Sequence, residues 1–571
     1  MASSQRLWRC CQHTKQSKGA PSHMRPIVEV AAEVGLTPDD LDLYGPYKAK
    51  IHLDAHDRPV AQRGRYVVVT SITPTPFGEG KTTMAIGLTQ GCWRIGANAI
   101  VALRQSSMGP TFGIKGGGAG GGKATLEPMV DLNLHFTGDG HAVTAAHNAC
   151  AALLDNHLHQ GNALGIETIT WPRVIDMNDR ALRQIAVGLG EKNGPERETG
   201  FQITAASEVM SILALATDYA DLRARLGRIV VGWTGDGRPV TAEDIDAAGA
   251  MAVLMKDALL PNLVQTQEGG PALVHAGPFG NVALGCSSII ADQVGLGLAD
   301  LVITEAGFGS DLGFEKFCDV KCRMSGLWPD AALVVVTIRA LKAQSGQYLI
   351  KAGRPLDETI ETEHLPNLAA GLHNLEDHLA NVARFGIPAV VAINRYPSDT
   401  EAEIEAVTQA AIAAGAFGVA AADVYGQGGA DAEALARLLL SVPKCDRLPV
   451  HLYEPGGSLC DKIAKVASAM YGVGQIDYRP EALDALARFE AAGFGQLPVC
   501  MAKSQYSFSG NANEPGKARA GKIVVRDLLL YAGSGYIVPV CGAINLMPGL
   551  GKHPGANDFE LLPDGQIVGV A

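Results

Sequence analysis

The sequence predicts an α/β fold built on a mainly parallel sheet, and two features of its pattern carry this prediction. The first is a βαβ unit: a β-branched run at residues 66–70 precedes a Pro/Gly loop, a helical stretch at 81–93 and a second buried strand at 97–103. The second is the recurrence of short apolar runs between alanine-rich helical segments. These further strands are predicted at residues 228–232, 301–304, 332–338, 387–394, 449–453 and 536–544.

The loop between the first strand and the first helix is typical of phosphate binding. Its glycines allow main-chain N–H groups to close around phosphate oxygens, and the following helix directs its positive end at them. Lys81 can reach the outer phosphates, and Thr82 would hold Mg²⁺. A tight turn with a solvated lysine is the alternative, but the flanking strand and helix favour a P-loop NTPase-like core. We predict that ATP is bound by Thr75, Pro76, Phe77, Gly78, Glu79, Gly80, Lys81 and Thr82.

A second glycine-rich loop, residues 104–123, follows the second predicted strand. Ligands of doubly wound sheets lie beyond the carboxyl ends of the strands, so both loops should border one cleft. A flexible linker is the alternative, but the basic and apolar residues among the glycines, such as Arg104 and Phe112, argue against it.

Histidines crowd the stretch 131–148, where His135, His141 and His147 surround Asp139. This spacing is not a specific zinc motif, and polar residues at helix starts often serve as caps. A metal site is therefore the less favoured of the two interpretations.

Composition narrows the class of protein. A net charge of −12 in 571 residues gives no electrostatic footprint for nucleic acid, and the longest apolar run, residues 410–422, is too short to span a bilayer. The eleven cysteines show no zinc or disulfide framework. We expect reduced thiols and a cytoplasmic location, with small-molecule partners rather than nucleic acid or membrane.

Four regions are predicted along the chain. Residues 1–24 should be a tail, and 25–125 together with 300–360 the P-loop nucleotide-binding domain. Residues 126–299 would form an inserted α/β domain, and 361–571 a C-terminal α/β domain. The core sheet would thus carry two further α/β domains.

The segments PTPFGEGKTT, GPTFGIKGGGAGGGK and LHFTGDGHAVTAAHN, followed in order by ITEAGFGSDLGFEKF, INRYPSD and MPGLGKHP, resemble the signature segments of monofunctional formate–tetrahydrofolate ligases. The resemblance spans about residue 26 to the C-terminus. It implies that formate attacks the terminal phosphoryl group of Mg-ATP, and that the amine of tetrahydrofolate then displaces phosphate from formyl phosphate. The products would be 10-formyltetrahydrofolate, ADP and phosphate, and the assembly a homotetramer.

The resemblance also implies roles for individual residues. Arg104 would bind formate and then formyl phosphate through its planar fork, or else form a surface ion pair. Asp139 matches a position near the reacting groups, with a helix cap as the alternative, so the implied catalytic set is Lys81, Arg104 and Asp139. Aromatic residues would line the folate site, although each could belong to the core. These residues are Phe308, Tyr396 with Pro397, and Tyr425.

Several positions depart from the family pattern. Gln105 stands where the family has Glu beside a monovalent cation, so cation activation is an open question. Gly118 and Lys123 replace Ala and Tyr in the second loop, and Tyr396 and Tyr425 replace Phe and Trp. Two other functions stay open: a P-loop ATPase switch, and a non-catalytic relative that binds folate.

Overall fold

The computed structural model describes residues 24–56, 63–76, 78–113, 118–348, 357–444, 448–508, 521–542 and 544–570. The predicted ATP contact Phe77 and almost all of the predicted tail lie outside these residues. Within them, no helix combines the length and the apolar content needed to cross a bilayer.

The predicted α/β fold with a mainly parallel sheet is confirmed. Within the described residues the largest sheet has twelve strands: β1 Leu41–Leu43, β2 Ala49–Ile51, β3 Arg65–Ser71, β4 Ala99–Leu103, β5 Gly120–Gly121, β6 Ala124–Glu127, β7 Asn262–Thr266, β8 Pro271–Val274, β9 Leu301–Glu305, β10 Ala331–Val336, β11 Ala389–Asn394 and β12 Gly418–Ala422. Their order in the sheet is β1-β2-β7-β8-β4-β9-β3-β10-β11-β12, with β6 paired to β7 and β5 to β6. The run from β8 to β12 is parallel throughout.

Helices cover both faces of this sheet. Alternate residues of β3 point to opposite sides, so Val68 packs in one apolar cluster with Leu375, while Val67 packs in the other with Met84 and Leu435. The α-helices are Ile27–Glu33, Lys81–Arg94 (α1), Met108–Phe112, Met129–Asn133, Asp139–His159 (α2), Glu208–Leu215 (α3), Tyr219–Gly227, Ala248–Met255, Ile289–Leu298, Arg323–Ser325, Ile338–Gln344, Leu365–Ala383, Glu401–Ala413, Val424–Gln427, Glu433–Ser441, Leu459–Tyr471 and Pro480–Ala491 (α4); Ser310–Phe314 and Phe317–Cys322 are π-helical.

Smaller sheets lie outside the core. Ile166–Ile169, Val230–Thr234 and Pro239–Thr241 form a three-stranded sheet. The strands Asp527–Tyr531 and Tyr536–Val540 form a hairpin, and the second of them also bonds to residues 498–502 through main-chain hydrogen bonds. The other pairs are Arg173–Ile175 with Phe201–Ile203, Ile185–Val187 with Arg197–Thr199, Gln475–Tyr478 with Lys522–Val525, and Glu560–Leu561 with Ile567–Val568.

The predicted strand at residues 449–453 is wrong, because this segment bonds to the side chains of Asp319 and Arg323 instead of a neighbouring strand. The N–H of Leu452 donates to Asp319, and Arg323 donates to the carbonyl of Tyr453. The strand predicted at 536–544 ends at Val540. The other predicted strands form, with boundaries moved by a few residues.

The central sheet draws on three of the predicted regions. β7 and β8 come from the range 126–299, and β11 and β12 from the range 361–571, yet all join the sheet that holds β3. The domain boundaries stay predictions, but strands from all three of these regions are hydrogen-bonded together in one sheet.

Candidate active site

The parallel strands place five loops with predicted site residues at one edge of the sheet. The loop with Lys81 follows β3, and Arg104 follows β4 directly. Phe308 follows β9, Tyr396 follows β11 and Tyr425 follows β12. Parallel strands end at the same edge, so residues that are far apart in sequence line one cleft there.

The loop before α1 has the backbone that a phosphate-binding loop needs. Gly78 and Gly80 both have a φ of 75°, in the left-handed region. A Cβ at Gly80 would lie 2.4 Å from the side-chain nitrogen of Asn394, so no other residue fits without movement. α1 begins at Lys81 and has no acidic residue in its first turn, which leaves its positive end open to an anion.

Glu79 braces this loop from inside the protein. Its Oε1 accepts hydrogen bonds from the N–H of Thr75 (2.8 Å) and from its hydroxyl (2.9 Å), and its Oε2 accepts one from the hydroxyl of Thr337 (2.6 Å). Asn394 donates to the Glu79 carbonyl at 3.1 Å. Both carboxylate oxygens are therefore engaged within the protein, and Glu79 can offer a nucleotide mainly its backbone.

Glu305, the last residue of β9, connects the phosphate loop to Arg104. Its Oε2 accepts a hydrogen bond from the Thr82 hydroxyl at 2.7 Å, and its Oε1 lies 3.6 Å from the Arg104 guanidinium. The Arg104 side chain is 31% exposed, whereas the Glu305 side chain is only 6% exposed. A buried carboxylate therefore contacts an arginine that is partly open to the cleft. Thr82 and Arg104 thus contact the same carboxylate.

Sequence reasoning missed Glu305, although a signal was present. The residue closes a buried β-branched strand in the segment ITEAGFGSD, where only Phe308 was singled out. An acidic residue at the carboxyl end of a strand beside β3 is placed at the same edge of the sheet as Lys81.

Lys81 and Phe308 meet at Ser71, the last residue of β3. The Lys81 ammonium donates to the Ser71 hydroxyl at 3.3 Å, and this hydroxyl lies 3.2 Å from the Phe308 carbonyl. Phe308 is half-buried with a φ of 62°, which is uncommon for an aromatic residue. Its ring lies where a side chain at Gly280 would stand. The backbone at Phe308 is therefore held close to the phosphate loop.

Tyr396 and Tyr425 form the far wall of the cleft. The Arg339 guanidinium lies 4.0 Å from the centre of the Tyr396 ring and donates to its hydroxyl at 2.7 Å. Burial is the main cause of the raised pKa of Tyr396. Pro397 and Tyr425 are exposed, the latter by 63%. These flat surfaces suit a heteroaromatic ligand.

The second glycine-rich loop packs directly on Tyr425. A Cβ at Gly122 would lie 2.2 Å from the Tyr425 carbonyl oxygen, and one at Gly121 would lie 3.1 Å from its ring. The N–H of Lys123 donates to the same carbonyl at 2.9 Å. Glycine is thus required where this loop meets Tyr425, and Lys123 joins the contact through its backbone.

Asp139 lies in a buried ion pair. The Lys50 ammonium donates to its Oδ1 at 2.8 Å and the Asn262 amide donates to its Oδ2 at 2.7 Å, and the two charged side chains are 1% and 3% exposed. Asp139 is the first residue of α2, but its side chain caps no N–H there. A catalytic role stays a prediction, and these contacts support a structural role.

Replacing Asp139 with alanine tests the structural role. Lys50 would keep a buried charge without its partner, which typically costs about 3–5 kcal/mol. We expect a clearly lower urea midpoint, measured by circular dichroism. Lys50→Met combined with Asp139→Leu should recover much of this loss, and a midpoint unchanged in Asp139→Ala would contradict the assignment.

The histidines of α2 and the preceding loop do not converge. His135 and His141 are exposed, whereas His147 is buried between the Ser207 hydroxyl (2.8 Å) and the Pro172 carbonyl (2.9 Å). Burial lowers the pKa of His147 to about 3. Throughout the described ranges, no three His, Cys, Asp or Glu side chains are grouped so that they could hold a metal ion.

Comparison with known proteins identifies the family. The family model for formate–tetrahydrofolate ligase matches residues 15–571, beginning inside the segment predicted as a tail. The formate–tetrahydrofolate ligase of Roseiflexus sp. (strain RS-1) is 53% identical over 554 residues, which cover 96% of this chain and 98% of that protein. The proteins of the same name from Saccharopolyspora erythraea and Cutibacterium acnes are 50% and 49% identical, each over 96% of this chain and 98% of the relative. The chain belongs to the formate–tetrahydrofolate ligase family.

Proposed function

We propose that this enzyme joins formate to tetrahydrofolate through formyl phosphate, using ATP at the carboxyl edge of the central sheet. One observation carries the proposal: Glu305 contacts both Thr82 of the phosphate loop and Arg104. A group that binds nucleotide phosphates therefore lies next to a guanidinium that can hold a one-carbon acid. The products are 10-formyltetrahydrofolate, ADP and phosphate.

The phosphate loop supplies charge and position for phosphoryl transfer. The main-chain N–H groups at the start of α1 face the phosphates, and Lys81 neutralises the charge that develops on the transferred group. Hydroxide is a poor leaving group, whereas phosphate leaves readily once its charge is held. Formation of formyl phosphate explains why an unreactive acid such as formate needs ATP.

The Thr82 hydroxyl and the Glu305 carboxylate fit a hard divalent cation. These two oxygen donors lie 2.7 Å apart at the start of α1, and Mg²⁺ prefers oxygen ligands together with nucleotide phosphates. When bound there, Mg²⁺ would offset phosphate charge. Glu305 would then lose its hydrogen bond with Thr82 and lie near the cation instead.

Arg104 positions the one-carbon acid. Its planar fork suits the carboxylate of formate and then the phosphate of formyl phosphate. Its Nε is buried without a hydrogen-bond partner among the described residues, which leaves donor capacity at this end of the cleft. Phe308, Tyr396, Pro397 and Tyr425 would hold the pterin ring so that the folate amine reaches the formyl carbon.

A coupled assay tests the proposal. Purified protein with formate, Mg-ATP and tetrahydrofolate should form 10-formyltetrahydrofolate, read as methenyltetrahydrofolate after acid treatment. ATP hydrolysis that is indifferent to formate and folate would instead indicate a nucleotide switch. Folate binding without product would indicate a non-catalytic relative. Running the assay with and without potassium tests whether Gln105 supports cation activation.

Replacing Glu305 with glutamine tests the connection between the two halves of the pocket. The amide keeps the shape but removes the negative charge beside Thr82, so we expect a kcat about 10–100-fold lower, with a higher Mg²⁺ requirement. Steady-state kinetics at several Mg²⁺ concentrations measure both effects. Glu243→Gln, in an exposed ion pair with Arg223, is the control, and an unchanged Mg²⁺ requirement in Glu305→Gln would contradict the role.

Two further properties belong to the same proposal. A cytoplasmic location is supported by the eight described cysteines, which are all free thiols and with one exception buried. A homotetramer is proposed from the family resemblance, and light scattering of the purified protein would test it.

A further inference from the structure

A cavity of about 280 Å³ lies away from the carboxyl edge of the sheet. Its walls come from the first residue of α3, the three-stranded sheet, α4 and the hairpin strand Asp527–Tyr531. None of the described residues assigned above to the nucleotide, formate or folate sites lines it. The cavity is therefore independent of the proposed reaction.

Glu208 presents an unused carboxylate oxygen to this cavity. The residue is only 4% exposed, and its Oε1 accepts hydrogen bonds from the N–H groups of Gly533 (2.7 Å) and Ser534 (3.1 Å). Within the described chain, Oε2 accepts no hydrogen bond. It is not one of the fully buried polar atoms that lack a partner, so it is accessible from outside the protein interior. Since Glu208 lines the cavity, Oε2 faces it.

Among the described residues that line the cavity, no other charged side chain forms an ion pair with Glu208. Burial raises the pKa of Asp527, and the nearby Arg488 guanidinium only partly opposes this rise. His147 stays neutral at physiological pH, because burial lowers its pKa to about 3. Burial also raises the pKa of Glu208 to about 8, against the opposing effects of the Ser534 and Gly533 N–H groups and of Arg228. Near neutral pH this carboxyl is therefore mostly protonated, and a cation bound at Oε2 would favour its ionised form.

Aromatic rings form part of the remaining wall, together with aliphatic side chains of the hairpin strand. Trp171 stacks on His147 with ring centroids 4.0 Å apart, and Trp233 stacks on Phe489 at 6.0 Å. The Arg488 guanidinium already lies 5.0 Å from the centre of the Trp233 ring. The Trp233 ring therefore already has a cation beside it, and the contribution of these rings to a ligand is a flat apolar surface, which favours flat ligands.

We propose that this cavity binds a small organic cation, a primary ammonium group carried on a flat apolar body. The ammonium donates to Oε2 of Glu208, and the body packs against Trp171 and Trp233. The volume is at the small end of ligand pockets and suits a bicyclic ring.

Two probes with the same indole body and opposite charge test the proposal on the full-length protein. Tryptamine should bind saturably, one per chain, in isothermal titration calorimetry. At pH 9, above the pKa of Glu208, indole-3-acetate should bind at least about tenfold more weakly than tryptamine, because its carboxylate would face an ionised Glu208. Equal affinities, or no saturable tryptamine binding, would overturn the proposal without any variant.

Glu208→Gln locates the site. The amide oxygen can still accept from Gly533 and Ser534, so the fold should survive, but tryptamine affinity should fall at least about tenfold. Glu243→Gln is the matched control and should bind tryptamine like the parent chain. Saturating tetrahydrofolate should leave tryptamine binding unchanged. Competition by folate, or full affinity in a folded Glu208→Gln protein, would assign the binding elsewhere.

Discussion

Replacing Lys81 with alanine is expected to lower the rate of ATP-dependent formylation by at least about 10³-fold, because one cation on the transferred phosphoryl group can contribute that much. Lys81 begins α1 and contacts Ser71 from the cleft side of β3. The loss should fall on kcat, since in our proposal Lys81 neutralises charge that develops in the transition state. The folate assay measures it directly.

The control for this variant is Lys256→Ala, which removes a lysine of an exposed ion pair far from the phosphate loop. Its activity should match that of the parent chain. Both variants should keep the parent circular dichroism spectrum and thermal midpoint, because the Lys81 side chain is only partly buried. A folded Lys81→Ala protein with normal turnover would end the assignment of this loop to ATP.

The Arg104→Ala variant should lose about 10²–10³-fold in kcat while its affinity for ATP changes little. In our proposal Arg104 faces the one-carbon acid. In the structure its guanidinium lies beside the Glu305 carboxylate. The informative result is a large fall in kcat with little change in the affinity for ATP. Equilibrium titration measures the ATP affinity, and the folate assay measures kcat.

Arg238→Ala serves as the matched arginine control, since that side chain is 73% exposed in a local pair with Asp236. Lysine at position 104 should restore only part of the activity, because an ammonium cannot form the paired hydrogen bonds of a guanidinium. If ATP affinity fell in Arg104→Ala as far as kcat, Arg104 would be reassigned to the nucleotide.

The local order of strand, glycine loop and helix could be predicted from sequence because it depends on neighbouring residues. The β-branched run before Gly78 and the helix from Lys81 follow backbone preferences that act over a few positions. The pairing of β3 between β9 and β10 could not be predicted in this way, since those strands lie more than two hundred residues further along the chain.

Side-chain roles set by distant partners were also beyond sequence reasoning. Asp139 resembled a reacting group, and only the fold shows that Lys50 and Asn262 occupy its oxygens. Glu79 belongs to the sequence motif predicted to bind phosphate, but its carboxylate accepts a hydrogen bond from Thr337. In each case the deciding contact joins segments that the chain separates by more than eighty residues, and composition carries no record of it.

The strand order of the central sheet has a consequence for how the enzyme is made. β3 emerges from the ribosome early, but its two neighbours in the sheet, β9 and β10, are translated much later. The wall that contains Tyr425 is synthesised later still. A nascent chain must hold its unpaired N-terminal strands until these partners arrive, a non-local pairing that is slow and exposes strand edges to aggregation. Chaperone protection during translation should therefore matter more for this protein than for one whose sheet neighbours are consecutive.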